Sequence, residues 1–126
     1  MLKNASVHPT IPVVDLDRAK NFYSDVLGLE VISEYPSPGA VLKAGDKTTF
    51  YMYQREATKA DHTVMAFAVD DVEKTVKDLK DKGVEFEEYD TPDIKTVEGI
   101  ATQDDMKAAW FKDSEGNILS IANMGV

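Results

Sequence analysis

The chain has 126 residues, 43% of them hydrophobic and 29% charged, the ordinary balance of a globular protein, and a single domain over 1–126 is expected. Its 23 acidic against 14 basic residues leave a formal net charge of −9, which works against a phosphate-tracking surface and so against nucleic acid as a partner. The absence of cysteine excludes disulfides, thiolate metal sites and a cysteine nucleophile; no apolar run approaches the ~18 residues of a membrane span, so a cytoplasmic protein with no membrane partner is expected.

In chain order, alternation over 7–14 predicts a first strand with His8, Thr10 and Pro12 on one face and Ile11 and Val13 on the other. Asp15-Leu16-Asp17-Arg18-Ala19 then opens a helix. Ala19, Phe22, Tyr23 and Val26 recur at helical spacing, the acidic residues suit a helix start, and Gly28 stands where a left-handed cap closes it. Strands follow over 29–35, 40–44 and 48–54, separated by Pro36-Ser37-Pro38-Gly39 and Gly45-Asp46-Lys47. In the last of these, placing Phe50 and Met52 in the core turns Thr49, Tyr51 and Tyr53 to the opposite face.

The order then repeats. A strand over 63–69 offers Met65, Phe67 and Val69 to the core and Val64, Ala66 and Ala68 to the other side. Asp71-Val72-Glu73-Lys74-Thr75 repeats the first helix start, with Val72, Val76 and Leu79 as the apolar stripe and Gly83 at the cap. Strands are expected over 84–89, 107–112 and 118–123, the last two joined by Asp113-Ser114-Glu115-Gly116-Asn117. Module one spans about 6–54 and module two about 62–124. The polar stretch 90–106, with Pro92 and Gly99, has no counterpart in module one and reads either as a flap over a site or as a plain insertion.

This order resembles the vicinal oxygen chelate superfamily, the glyoxalase/bleomycin-resistance/dioxygenase group. The resemblance rests on His8 ahead of Asp15-Leu16-Asp17-Arg18-Ala19, on Phe22-Tyr23 and Leu27-Gly28-Leu29, and on the closing Trp110-Phe111-Lys112-Asp113-Ser114-Glu115-Gly116-Asn117, where Ser114 replaces the proline of the family's hairpin. It implies an α+β fold of two βαβββ modules whose eight curved strands enclose a cleft, with the helices outside. Metal-using relatives hold one divalent ion with His or Glu from four strands. Carried over one at a time, those positions are His8, Tyr51, Val64 and Ser120.

Only His8 among them is a standard ligand, where a catalytic divalent site needs about three protein nitrogens or oxygens. His62 shares the parity of Val64 but stands about 6.6 Å further along an extended strand. Arg18 and Arg55 are the only arginines, and Pro12 stands where relatives of the glyoxalase I type often carry another, which disfavours a glutathione adduct as substrate.

The resemblance therefore points to the metal-free branch, whose members bind aromatic or hydrophobic small molecules, antibiotics included, at a homodimer interface. The expected role is sequestration without a cofactor. Tyr51, Tyr53 and Trp110 would clamp a planar guest, His8, Thr10 and Ser120 would orient its polar atoms, and Val64 would line the cleft. An acidic protein favours a neutral or cationic guest. The alternative is a divalent-metal lyase, isomerase or dioxygenase using His8, with His62 and a carboxylate such as Glu98. An interaction module with an empty cleft is the third reading.

Overall fold

The computed structural model describes residues 1–59 and 61–123. These fall into two compact units, Met1–Thr58 and Lys59–Val126. Unit one runs β1 (Thr10–Val13), α1 (Leu16–Asn21), β2 (Glu30–Ser33), β3 (Gly39–Ala44) and β4 (Thr48–Gln54), with a π-helical turn over Phe22–Val26 extending α1. Its sheet is ordered β1-β4-β3-β2, with β1 parallel to β4 and the other pairs antiparallel.

Unit two runs β5 (Thr63–Ala68), α2 (Val72–Asp81), β6 (Thr96–Val97), β7 (Ile100–Gln103), β8 (Met106–Lys112) and β9 (Ile118–Ala122). Its sheet is ordered β5-β9-β8-β7-β6, again with the first pair parallel. The parallel first pair in both units follows from the helix: a strand that leaves through a helix must return beside its own start in the same direction.

Both helices begin the same way. Asp15 and Asp71 hold extended backbone angles, and each side chain accepts a 3.0 Å hydrogen bond from the amide three residues on, Arg18 and Lys74. Each aspartate satisfies one of the first-turn amides that has no partner inside the helix. The repeated acidic motif is therefore a pair of N-caps.

The cores follow the alternation. In unit one, Ile11, Val13, Ala40, Leu42, Phe50 and Met52 turn from the sheet toward Ala19 and Tyr23, and all are buried. The register agrees, since Ile11 and Ala40 both stand level with Met52 and Leu42 with Phe50. The Tyr23 and Phe50 rings meet at 5.4 Å. In unit two, Met65, Ala109, Phe111, Leu119 and Ile121 form the sheet side and Val72 and Val76 the helix side.

Three expectations need correction. The strand expected over 84–89 reduces to one bridge, Phe86 to Phe111, with the Glu87 amide donating to the Trp110 carbonyl at 2.8 Å. Stretch 90–106, read as a flap or an insertion with no strand assigned to it, supplies β6 and β7, so the described residues form nine strands, where eight were expected. The reason is the turn: Glu98 and Gly99, at φ 53° and 85°, make the two-residue reversal whose twist suits a hairpin, and Val97 pairs with Ile100 across it. Gly99 is also needed for space, because a Cβ there would lie 2.9 Å from the Cβ of Phe86. Thirdly, the first strand begins at Thr10, so His8 precedes the ladder.

Candidate functional site

Each sheet has one face packed on its helix and one open face. On the open face of unit one, Thr10 stands level with Tyr51 and Pro12 with Tyr53, so the alternation places Thr10, Pro12, Thr49, Tyr51 and Tyr53 together. The two tyrosine rings lie 6.4 Å apart and 15° from parallel. Tyr51 crosses β3 above Gly39, where a Cβ would collide with its hydroxyl oxygen, and that hydroxyl donates to the Pro36 carbonyl at 2.7 Å. Gly39 is the residue that leaves Tyr51 room. The Tyr53 hydroxyl has no hydrogen-bond partner among the described residues.

His8 is exposed and held from both sides. Its Nδ1 lies 3.2 Å from the Thr49 carbonyl oxygen and 2.9 Å from Thr49 Oγ1, and its Nε2 lies 2.9 Å from Ser6 Oγ. A carbonyl only accepts, so the neutral ring that fits carries its proton on Nδ1 and takes the Ser6 proton on Nε2. His8 is thus level with Thr49, whereas Tyr51 stands opposite Thr10.

The open face of unit two has a different composition. Ser120 stands between Ala66 on β5 and Trp110 on β8, and one step on, Ala122 stands between Ala68 and Ala108. Ala101 continues the row on β7 beside Ala108. A run of alanines gives a flat apolar floor with Trp110 rising from it, and Ser120 is buried within it. Between Thr63 and Met65 the ladder takes up an extra residue, so half-buried Val64 has no level partner on β9 and Ala66 occupies the level of Ser120. His62 is exposed just ahead of that shift.

A hollow of about 410 Å3 lies on this face, lined by Pro92, Ile94, Ala101, Met106, Ala108 and Trp110 among others. One wall is the 91–94 loop, which is closed on itself: the Thr91 amide donates to the Ile94 carbonyl at 2.8 Å, and Thr91 Oγ1 accepts from the Ile94 amide at 3.0 Å. Its base is pinned by Thr96, whose hydroxyl accepts from the Tyr89 amide at 2.8 Å and whose own amide donates back to the Tyr89 carbonyl at 2.8 Å. The Tyr89 ring meets Trp110 edge-on at 5.4 Å and 83°. Burial holds the Tyr89 phenol above its ordinary value, and the carboxylate of Glu87 adds to the shift.

The structure thus groups Thr10, Tyr51 and Tyr53 on one sheet, with His8 beside Thr49 ahead of its first strand, and Val64, Trp110 and Ser120 on the other. Sequence reasoning missed Tyr89 and the 91–95 wall. The signal was present in Thr91-Pro92-Asp93 and Thr96, whose hydroxyls are typical of self-bonded loops. The Asp113-Ser114-Glu115-Gly116-Asn117 hairpin is a fastener: Asp113 Oδ1 accepts from the Glu115 and Asn117 amides at 2.8 and 2.9 Å, and its Oδ2 accepts from Asn117 Nδ2 at 2.9 Å.

A divalent ion of the kind held by metal-using relatives would find a poor donor set here. The carried-over positions offer one imidazole, a phenol committed to a backbone carbonyl, an alkyl group and a buried hydroxyl. That set does not fit a three-ligand site. Among the described residues no three His, Asp or Glu side chains are grouped to hold an ion.

No curated protein matches the sequence. Among solved structures, a glyoxalase family protein from Enterococcus faecalis is 23% identical, with a TM-score of 0.71 over 97% of this chain and 99% of that one. A lactoylglutathione lyase from Agrobacterium tumefaciens is 19% identical, with a TM-score of 0.68 over 95% and 94%. The fosfomycin resistance protein FosX from Mesorhizobium loti is 17% identical, with a TM-score of 0.65 over 94% and 91%. At these identities the likeness is one of fold. Residues 5–121 match the profile of the Glyoxalase/Bleomycin resistance protein/Dioxygenase superfamily, and the chain belongs to that superfamily.

Proposed function

We propose that this protein binds a small molecule without a metal, taking a planar aromatic or apolar guest into the Trp110 hollow. The observation that carries this reading is the hollow of about 410 Å3 on the open face of unit two, where Ala101 and Ala108 lie beside the Trp110 indole and the 91–94 loop. That volume lies within the roughly 300–1,000 Å3 of small-molecule pockets, and two alanines beside an indole suit a flat guest better than a branched one, with Thr91, Thr102 and Gln103 to meet its polar atoms. Lys95 and Lys107 border the hollow against the single Asp93, so a neutral guest is favoured over a cationic one. On unit one, the stacked Tyr51 and Tyr53 offer a second aromatic surface, with Thr10 and His8 for polar atoms.

The test is titration of tryptophan emission, since Trp110 is the only tryptophan. Planar neutral aromatics should quench it saturably at submillimolar concentration. No saturable response below about a millimolar, the weak end of specific affinity, would overturn the reading.

A second reading, a divalent-metal lyase, isomerase or dioxygenase, is favoured by one observation. An imidazole whose Nδ1 is tied to a backbone carbonyl is oriented as a metal-binding histidine would be, and only Ser6 engages its Nε2. The neighbours named as a lyase and as a fosfomycin resistance protein keep both directions open on this fold.

We further propose a homodimer. Each sheet has two edges, β1 and β2 in unit one and β5 and β6 in unit two, and a second chain commonly covers such edges. Sedimentation should show a species of twice 14.0 kDa; a stable monomer at tens of micromolar would contradict it.

A further inference from the structure

On its helix side, unit two carries a second hollow, of about 700 Å3, between α2 and the β6–β7 hairpin. Its floor is aliphatic, formed by Val76, Val97 and Ile100. Its rim holds Lys77, Lys80, Lys95 and Lys107 against Glu73 and Glu98, a local excess of two positive charges in a chain of net −9. Lys107 is ion-paired with Glu73, and Lys80 donates to the Glu98 carbonyl at 3.3 Å. The ammonium groups of Lys77 and Lys95 have no hydrogen-bond or ion-pair partner among the described residues.

A solvated helix face accounts for Lys77 and Lys80 alone. It does not account for Val97, which is 67% exposed in the midst of these cations. Lysine stems pack along apolar surface while their ammonium groups stay in water, so the rim is itself amphipathic. Among the described residues no aromatic side chain lines the hollow, and Thr102 supplies a hydroxyl at its edge.

We propose that this hollow is a second binding site, for an aliphatic amphiphile with an anionic head such as an alkyl phosphate or a fatty carboxylate. The chain would lie on Val76, Val97 and Ile100, and the head would be held by Lys77 and Lys95. Its chemistry is the opposite of that of the Trp110 hollow, where the wall is aromatic and the favoured guest neutral. Both hollows border Lys95, Thr102 and Lys107, so the two sites meet where β7 pairs with β8, at Thr102 and Lys107.

The probe is octyl phosphate below its micellar concentration, followed by calorimetry and by amide chemical shifts. Saturable binding is expected, with shifts concentrated at 76–80 and 95–100. Inorganic phosphate and octyltrimethylammonium should each bind about tenfold or more weakly, the first lacking the chain and the second the charge. The double variant K77E/K95E, at two exposed positions, should weaken octyl phosphate by a similar factor with an unchanged thermal midpoint. K77Q/K95Q gives the same comparison if charge reversal impairs folding. Inorganic phosphate binding as well as octyl phosphate, equal binding of the cationic amphiphile, shifts confined to the β8–β9 open face, or affinity unchanged in both double variants would each overturn the proposal.

Discussion

The two units share a strand order, a capped helix and a parallel first pair, yet their open faces are finished in opposite ways. Unit one fills its face with its own side chains: Tyr51 lies over Gly39 and is bonded to Pro36, Tyr53 stacks on Tyr51, and His8 is held by Ser6 and Thr49. Unit two leaves alanines and a single indole, with a hollow above them. A repeated scaffold fixes where side chains stand and leaves their chemistry free. Substitutions on the first face should therefore act mainly on stability and those on the second mainly on ligand binding.

The largest effect is expected at Gly39. In Gly39→Ala the new Cβ would collide with the Tyr51 ring and with the Met52 carbonyl, 2.5 Å away, so relief requires both side-chain and backbone movement. Denaturant unfolding should show a loss of about 2 kcal/mol, in the range of overpacking changes. An unchanged midpoint would mean that Tyr51 is not seated over β3.

Trp110→Ala should act on the other axis, weakening a planar guest by about tenfold or more while Tyr53→Ala weakens it only a few-fold. Equal losses in the two variants, read by calorimetry, would erase the distinction between the faces.

The smallest effect concerns Tyr89. Its folded pKa is raised by burial, so the unfolded chain ionises first as pH rises through about 10, and folding is weakened above that point. Below that pH both states are protonated and the residue contributes no slope. Denaturant midpoints of wild type and Tyr89→Phe should run in parallel up to about pH 9 and then diverge, wild type falling faster. Parallel curves throughout would show the phenol to be free of the Trp110 wall.

Much of this architecture was legible because alternation and capping are local signals. Asp15 and Asp71 announced both helices, and the parity of Phe50 and Met52 was enough to place Tyr51 and Tyr53 on the open face. Hydrogen bonds between distant segments were not legible. The reversal at Glu98 depends on a non-glycine residue adopting positive φ, for which sequence gives weak notice, and it converted an expected loop into β6 and β7. The shift at Val64 depends on how β5 meets β9, which the alternation of one strand does not contain. The hollow is not legible because one wall is a loop bonded to itself, and because Ala101 and Ala108 come beside Trp110 only through the pairing of β7 with β8.

Ligand binding without a metal remains a proposal for this scaffold, and the most direct measurement of it joins metal content to ligand titration. Protein stripped with chelator and then dialysed against zinc, nickel, manganese or ferrous iron would be analysed for bound metal, and its Trp110 emission titrated with the same planar guest. The account predicts well under one ion per chain, in line with a single standard ligand where about three are needed, and superimposable titration curves with and without metal. About one ion per chain in wild type, lost in His8→Ala, with quenching seen only in the metal-loaded protein, would contradict it and establish the metal-dependent reading.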